Sequence, residues 1–278
     1  MTYEANEIST QDGQIVSLYE FKWGETIWRY TSADQIITIT QDAVDVDYEP
    51  IAIYDDGMVQ GGSSNNDMTV TVQNDIPLVD LFRSTPPSGS IWMTVRRKHF
   101  SDPNDDWFVY WLGTIGNVKK GGMSDAKIIG RTILASFKRT GLRLSWSRNC
   151  PHMLYDSECR VDPDVFGVAA TITDITDGVV TVDAAGGHPQ GYFDGGLIRW
   201  QATIQGTFDR RSIEESPSAT SFRIFGSTDR LGVGMAVTLY PGCDLTTATC
   251  DGRFNNLANH GGLEQMSGDN PFDGKNIF

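Results

Sequence analysis

The chain has 278 residues, a formal net charge of −14 at pH 7, 39% hydrophobic residues and four cysteines. This length allows one large or two modest domains with a hydrophobic core, and the apolar content excludes a disordered chain. No apolar run approaches the ~20 residues of a membrane-spanning helix, and acidity spread over both halves without a basic face argues against a dedicated, sequence-specific nucleic-acid-binding protein.

The first twelve residues contain acidic side chains and no apolar segment, so we expect no secretory signal peptide. Disulfides form mainly in oxidising compartments. We therefore expect synthesis and folding in a reducing cytosol.

The N-terminal part is predicted to consist mainly of β-strands. Ile15–Phe21 and Thr26–Thr31 alternate apolar and polar residues around Trp23-Gly24-Glu25, which is typical of a β-hairpin. Pro77–Phe82 has the apolar spacing of a short helix. We expect a β-sandwich or β-barrel hub domain over residues 1–141. Its further strands are Ile36–Thr40, Ala43–Asp47, Ile51–Tyr54, Met68–Gln73, Ile91–Arg97, Trp107–Thr114 and Ala126–Ser136.

A second series of short strands, separated by glycine-containing turns, predicts a small β-barrel over residues 166–240. A core of about 75 residues is near the lower limit for independent stability. The barrel is expected to belong to a C-terminal domain over residues 142–278, which ends in an irregular Asn- and Gly-rich tail from Arg253 to Phe278. The strands are Val168–Thr173, Val179–Val182, Leu197–Ile204, Ser212–Glu215, Ser221–Ile224 and Met235–Tyr240.

The four cysteines form two close pairs that bracket the predicted barrel. Eight residues separate Cys150 from Cys159 before the barrel, and six separate Cys243 from Cys250 after it. Loops that leave one barrel at its first and last strands can bring all four thiols together. The cysteines are therefore the most informative residues of the sequence.

Three interpretations of these cysteines compete. In the first, they are reduced cysteines that are buried as small hydrophobic residues. In the second, they form disulfides, which the expected reducing compartment disfavours. In the third, they form a four-cysteine metal site. Structural zinc usually has two to four residues between paired ligands, and the spacers here are wider. Longer loops suit a bulkier [4Fe–4S] cluster, which also takes four thiolates, but spacing alone leaves zinc and iron–sulfur open.

Three segments around the cysteines resemble the C-terminal domain of phage tail-tip (baseplate hub) iron–sulfur proteins, a family that includes the lambdoid tail tip protein L and the hub of the gene transfer agents. The segments are Cys150–Cys159, Pro241–Cys250 and the motif Arg253-Phe254-x-Asn256-x-x-Asn259-x-Gly261-Gly262. The chain departs from the family at one motif position, where Asn259-His260-Gly261-Gly262 stands for Asn-Phe-Gly-Gly. The resemblance covers about residues 140–278.

The resemblance implies a [4Fe–4S] cluster on Cys150, Cys159, Cys243 and Cys250. It also implies a viral tail protein of the bacteriophage virion that is not an enzyme and has no catalytic residue. Such a protein is assembled in the host cytoplasm as a homotrimeric ring at the tail tip. There it connects the distal tail protein of the tail tube to the central hub or receptor-binding protein, in tail assembly and genome ejection.

Hydrogen-bond donors are expected around an anionic cluster. The candidates are the backbone N–H groups of Gly242 and Asp244 and the side chains of Arg148, Arg160 and Arg253. Ordinary surface pairs with neighbouring aspartates explain these arginines equally well. Two other functions stay open, namely a zinc-stapled interaction module and a redox protein or sensor that uses the cluster. The sequence contains none of the common catalytic motifs.

Overall fold

The computed structural model describes residues 14–57, 67–100, 102, 106–122, 124–134, 141, 147–202 and 206–266. The first twelve residues, the end of the predicted tail and the ends of strands Ala126–Ser136 and Leu197–Ile204 lie outside them. The protein is mainly β, as predicted, and divides into two compact units. One is Met1–Arg139 with Gln201–Asp209, and the other is Thr140–Trp200 with Arg210–Phe278. The domain limits at 141 and 142 stay a prediction.

The first unit contains a nine-stranded sheet in the order β3-β4-β2-β1-β7-β8-β9-β6-β5. Its neighbouring strands are antiparallel except β2 and β4, which run parallel. The short helix α1 (Pro77–Asp80) confirms the predicted helix. The strands are β1 Ile15–Trp23, β2 Thr26–Thr31, β3 Ile37–Gln41, β4 Val44–Pro50, β5 Ile53–Asp55, β6 Met68–Gln73, β7 Trp92–His99, β8 Trp107–Lys120 and β9 Asp125–Thr132.

This sheet curves around its hydrophobic core. The hydroxyl of Tyr19 on β1 donates to Asp55 Oδ2 on β5 at 2.6 Å, and Arg97 Nη2 on β7 lies 3.4 Å from Asp55 Oδ1. β1 and β5 are far apart in the strand order, so these contacts require the sheet to fold back on itself. The fully buried Phe21 and Met93 belong to the core that it encloses.

The second unit contains a closed barrel in the order β10-β11-β14-β13-β12-β15, which confirms the predicted small barrel. Its core is continuous and includes Ile172, Val180, Trp200, Phe222 and Leu239. Helix α2 (Pro163–Phe166) precedes it. The strands are β10 Val168–Thr176, β11 Val179–Val182, β12 Leu197–Gln201, β13 Phe208–Glu215, β14 Ser221–Ile224 and β15 Ala236–Tyr240.

A helix, α3 (Thr247–Phe254), follows the barrel and includes the first two residues of the predicted irregular tail, Arg253 and Phe254. The side chain of Thr246 caps its first turn by accepting from Thr249 N at 3.3 Å. Asn255 ends it in the left-handed conformation (φ 47°) and is followed by a 3-10 turn, Leu257–Asn259. None of the described helices has the length and apolarity needed to cross a bilayer.

Candidate metal centre

All four cysteines line one cavity in the second unit, although the two pairs are far apart in the chain. Cys250 projects from α3 and is buried, whereas the other three thiols are half-buried. The remaining lining residues are Leu154, Val161, Leu245, Phe254, His152, Asn256, Asn259 and His260. The structure thus brings together the four residues that the sequence singles out.

The loop that carries the first pair is organised around the carboxylate of Asp156. This carboxylate accepts the backbone N–H groups of Met153 at 3.0 Å, Glu158 at 2.9 Å and Cys159 at 2.6 Å. Partial burial raises the pKa of Asp156, but the three N–H donors lower it more, so the pKa lies below its ordinary value. The negative charge therefore holds the loop that presents Cys159.

The loop that carries Cys243 is held in a similar way. Leu245 adopts a left-handed conformation (φ 65°), and its N–H donates to Cys243 Sγ at 3.3 Å. The carboxylate of Asp244 accepts from the backbone N–H and the hydroxyl of Thr246, at 3.0 and 2.7 Å. Left-handed non-glycine residues are uncommon and cluster at functional sites, because the surrounding structure must hold them there.

Three hydrogen bonds join the two cysteine segments directly. The N–H of Cys150 donates to the carbonyl of Leu245 at 2.9 Å, and the side-chain amide of Asn256 donates to the carbonyl of Cys159 at 2.6 Å. The hydroxyl of Tyr155 donates to the carbonyl of Pro241 at 2.7 Å. The arrangement of the thiols therefore depends on contacts between the segments that precede and follow the barrel in the sequence.

N–H groups also approach the sulfur atoms. Besides Leu245 at Cys243, the backbone N–H of Gly261 donates to Cys150 Sγ at 3.4 Å, and Asn256 Nδ2 lies 3.9 Å from Cys159 Sγ. In the thiol form, Cys250 Sγ donates to the carbonyl of Asn256 at 3.4 Å. N–H donors stabilise thiolates, and hydrogen bonds to sulfur tune iron–sulfur clusters.

The thiols interact electrostatically. Burial raises the pKa of Cys243 and of Cys250, and the charges of the other cysteines raise both further. Without a cation these groups are therefore held as neutral thiols. A bound metal reverses this balance, because its charge favours the thiolates that ligate it.

An aromatic cluster supports the site from the side of α3. Phe254 is buried and packs edge-to-face on Tyr155 and Phe166, with ring centroids 6.3 and 5.2 Å apart. Tyr155 also meets Tyr240 at the end of β15, at 6.1 Å. These contacts fix α3, and with it Cys250, against the end of the barrel.

Three of the predicted donors contact backbone carbonyls, namely the side chains of Arg253 and Arg148 and the N–H of Gly242. Arg253 Nη1 donates to the carbonyls of Tyr192 and Gly242, at 2.9 and 2.5 Å, and its guanidinium lies 4.5 Å from the Tyr192 ring centroid. Arg148 Nε donates to the carbonyl of Met266 at 2.7 Å. The N–H of Gly242 donates to the carbonyl of Tyr192 at 3.2 Å, and that of Arg160 to the carbonyl of Asp156 at 2.9 Å. The role of these residues around a cluster stays a prediction.

Sequence reasoning assigned no role to Asn256, Asn259 or Gly261, which contribute to the site. They are part of the motif that carries the family resemblance, which was the available signal. The two histidines of the cavity also contact the backbone, since His152 Nδ1 lies 3.2 Å from the carbonyl of Asn259 and His260 Nε2 lies 3.4 Å from that of Leu245.

Two comparisons with known proteins match the chain. The profile of the family described as "Phage conserved hypothetical protein BR0599" matches residues 191–270, a segment that contains Cys243 and Cys250. A solved chain from "Virion of native gene transfer agent (GTA) particle" matches with a TM-score of 0.75 and 17% identity, over 96% of this chain and 93% of that chain. No curated protein matches the chain. At this identity the structural likeness establishes the fold, which the protein shares with a chain of a virion particle.

Proposed function

We propose that the protein is a structural component of a phage-like virion, a tail-tip hub subunit whose C-terminal unit is held by a [4Fe–4S] cluster on Cys150, Cys159, Cys243 and Cys250. It acts by assembly rather than by catalysis. Its neighbours are the distal tail protein and the central hub or receptor-binding protein, and its own copies form a trimeric ring. The convergence of all four cysteines on one cavity is the observation that carries the proposal.

The comparisons support the virion part of this proposal. The fold is similar over nearly the whole chain to that of a chain from a gene transfer agent particle. A phage family profile matches the last four strands of the barrel and α3. The position at the tail tip rests on the family resemblance of the cysteine segments.

The wide spacers between the paired cysteines favour a cluster over zinc, which usually has two to four residues between paired ligands. Four sulfurs around one zinc ion at 2.3 Å lie only about 3.8 Å from one another. Among the described residues, no group of three or more His, Cys, Asp or Glu side chains is arranged to hold a metal ion, so the choice of a cluster rests on the cysteine spacing and the family resemblance. A [4Fe–4S] cluster takes one thiolate on each iron and accepts wider spacing, so the donor set fits the cluster.

When bound, the cluster supplies a covalent connection between the segments that precede and follow the barrel in the sequence. A cross-link between distant segments restricts the unfolded chain, and metal binding that needs the folded site contributes to stability. Four cysteine ligands leave no iron position for a substrate. Asp156, Leu245 and Asn256 orient the thiols, as the contacts above describe.

Iron and acid-labile sulfide analysis of anaerobically purified protein tests the cofactor. Wild-type protein and a Met153→Ser control, altered at an exposed position of the same loop, are expected to be brown with about four irons and four sulfides per chain. Cys243→Ser is expected to lose iron and to lower the yield of soluble protein. A colourless, zinc-loaded wild-type protein would refute the cluster and support the zinc-stapled alternative.

Analysis of purified particles tests the virion role separately. The protein is expected in particles, and chemical cross-linking followed by mass spectrometry is expected to connect it to tail-tip proteins and to other copies of itself. Its absence from intact particles would contradict the structural role whatever the metal content. Cys243→Ser in the producing genome is expected to reduce the number of complete tails, with Met153→Ser as control.

A further inference from the structure

Asn256 contacts two of the four cysteines, one from each pair. Its side-chain amide donates to the carbonyl of Cys159 at 2.6 Å and lies 3.9 Å from the sulfur of the same residue. Its backbone N–H donates to the carbonyl of Cys250 at 3.1 Å. One residue therefore connects the end of the first cysteine loop to the end of α3 by hydrogen bonds.

The orientation of this amide is set by a second asparagine. Asn259 Nδ2 donates to Asn256 Oδ1 at 2.6 Å, so the oxygen of Asn256 is engaged and its NH₂ group points to Cys159. An amide nitrogen has two hydrogens. One serves the carbonyl of Cys159, and the other lies on the side of the sulfur.

We infer that Asn256 is a positioning residue of the metal centre, which holds Cys159 in register with Cys250 and directs N–H dipoles to the Cys159 thiolate. The inference rests on the proposed function for the identity of the metal group and on the hydrogen bonds for the positioning. Partners in the shell outside the ligands orient metal ligands, and their removal typically costs 10- to 100-fold in affinity. Asn259 acts through Asn256 and is expected to have a smaller effect.

The test compares Asn256→Asp with Asn255→Asp. Aspartate keeps the shape of asparagine but replaces the N–H donors by a carboxylate, which repels a thiolate. Asn255 is the neighbouring residue, its side chain is exposed, and aspartate also tolerates its left-handed backbone. The control thus makes the same chemical change one position away. Asn259→Ala is the second variant, because it leaves the Asn256 side chain in place and removes only its orienting partner.

Two measurements are made on each variant. The first is the rate at which an iron chelator bleaches the visible absorption of the loaded protein. We expect it to rise about tenfold or more in Asn256→Asp, less in Asn259→Ala, and to stay within about twofold of wild type in Asn255→Asp. The second is the rate of backbone hydrogen exchange around Cys159 in metal-free protein, followed by mass spectrometry, and we expect the same order.

The outcomes separate this inference from the proposed function. Equal bleaching and hydrogen-exchange rates in Asn256→Asp and Asn255→Asp, with a normal cluster in both, would overturn the positioning role and leave the cluster in place. A wild-type protein that binds no iron would refute the proposed cofactor. Faster hydrogen exchange around Cys159 in Asn256→Asp would then still support the positioning of Cys159.

Discussion

Replacing Asp156 by alanine removes the acceptor of three backbone N–H groups in the loop that presents Cys159. A net contribution of about 0.5–1 kcal/mol for each bond in this half-buried position predicts a loss of about 2 kcal/mol in the free energy of unfolding of the second unit. Asp156→Asn keeps an acceptor for two of the three donors, because Glu158 and Cys159 share Oδ1. Its loss is therefore expected to be about a third as large.

The assay is urea unfolding of metal-free, reduced protein, followed by the reactivity of its thiols. All four cysteines lie in the second unit, so labelling reports on that unit. With a slope of about 2 kcal/mol per molar urea, Asp156→Ala is expected to lower the midpoint by about 1 M. The matched control is Asp162→Ala, since Asp162 accepts a single backbone N–H, that of Asp164 at 3.0 Å, and its loss is expected to cost about 0.5–1 kcal/mol.

The dependence on pH gives a second check. The pKa of Asp156 is lowered in the folded protein, so its carboxylate contributes stability above the unfolded-state pKa of about 3.9, and this contribution is lost as the pH falls through the folded-state pKa. The difference between wild type and Asp156→Asn is therefore expected at pH 7 and should shrink under acid conditions. Equal midpoint shifts for Asp156→Ala and Asp162→Ala would refute the reasoning.

Three further predictions concern packing, backbone and alkaline pH. Phe254→Ala, at a buried ring, is expected to cost about 3–5 kcal/mol of unfolding free energy, whereas Phe225→Ala, at a ring that is 63% exposed, should change it by less than about 0.5 kcal/mol in the same denaturation assay. Gly252→Ala places a methyl in open space on α3 and is expected to stabilise the helix by about 0.5–1 kcal/mol, which should raise the melting temperature. Gly242→Ala instead drives a methyl into the carbonyl of Asp194 and should abolish soluble expression. Normal expression of Gly242→Ala would contradict the backbone geometry. Burial raises the pKa of Tyr30 to about 12, so above pH 10 this tyrosine loses its proton in the unfolded state first. The free energy of unfolding should therefore fall by about 1.4 kcal/mol per pH unit. Unfolding curves with tyrosinate absorbance, compared with those of Tyr30→Phe, check this.

Strand positions follow from the sequence where alternation is flanked by turn residues. β6, β11 and β14 have the predicted bounds for this reason. β8 continues to Lys120, six residues beyond the predicted end. The prediction ended early because Gly116 interrupts the apolar pattern. The irregular pairing between Ile115 and Asn117 accommodates this glycine without ending the strand.

Helix α3 illustrates what local patterns miss. Its segment contains threonines, an aspartate and a glycine, which have modest helix propensity, and only Cys250 and Phe254 are buried. Its stability comes from packing on the barrel and from the Thr246 cap, and of these only the cap has a sequence signature.

At the candidate metal centre, too, one part follows from the sequence and another depends on tertiary structure. The spacing of the cysteines predicted their convergence, since two pairs that bracket a barrel must emerge near one another. The hydrogen bonds of Leu245, Asn256 and Gly261 to the sulfurs and to neighbouring carbonyls depend on tertiary structure. No spacing rule specifies them, and so they could not be derived from the residues alone.

The position of the barrel between Cys159 and Cys243 determines the order of events during synthesis. A growing chain presents the first pair of thiols before the second, and the barrel strands that lie nearest the two pairs in the sequence, β10 and β15, are neighbours in the barrel. A chain that ends before Cys250 lacks both a thiol and most of α3. On the proposed function, loading of a cluster is therefore a late step, and a bound cluster would mark a copy whose second unit has been completed.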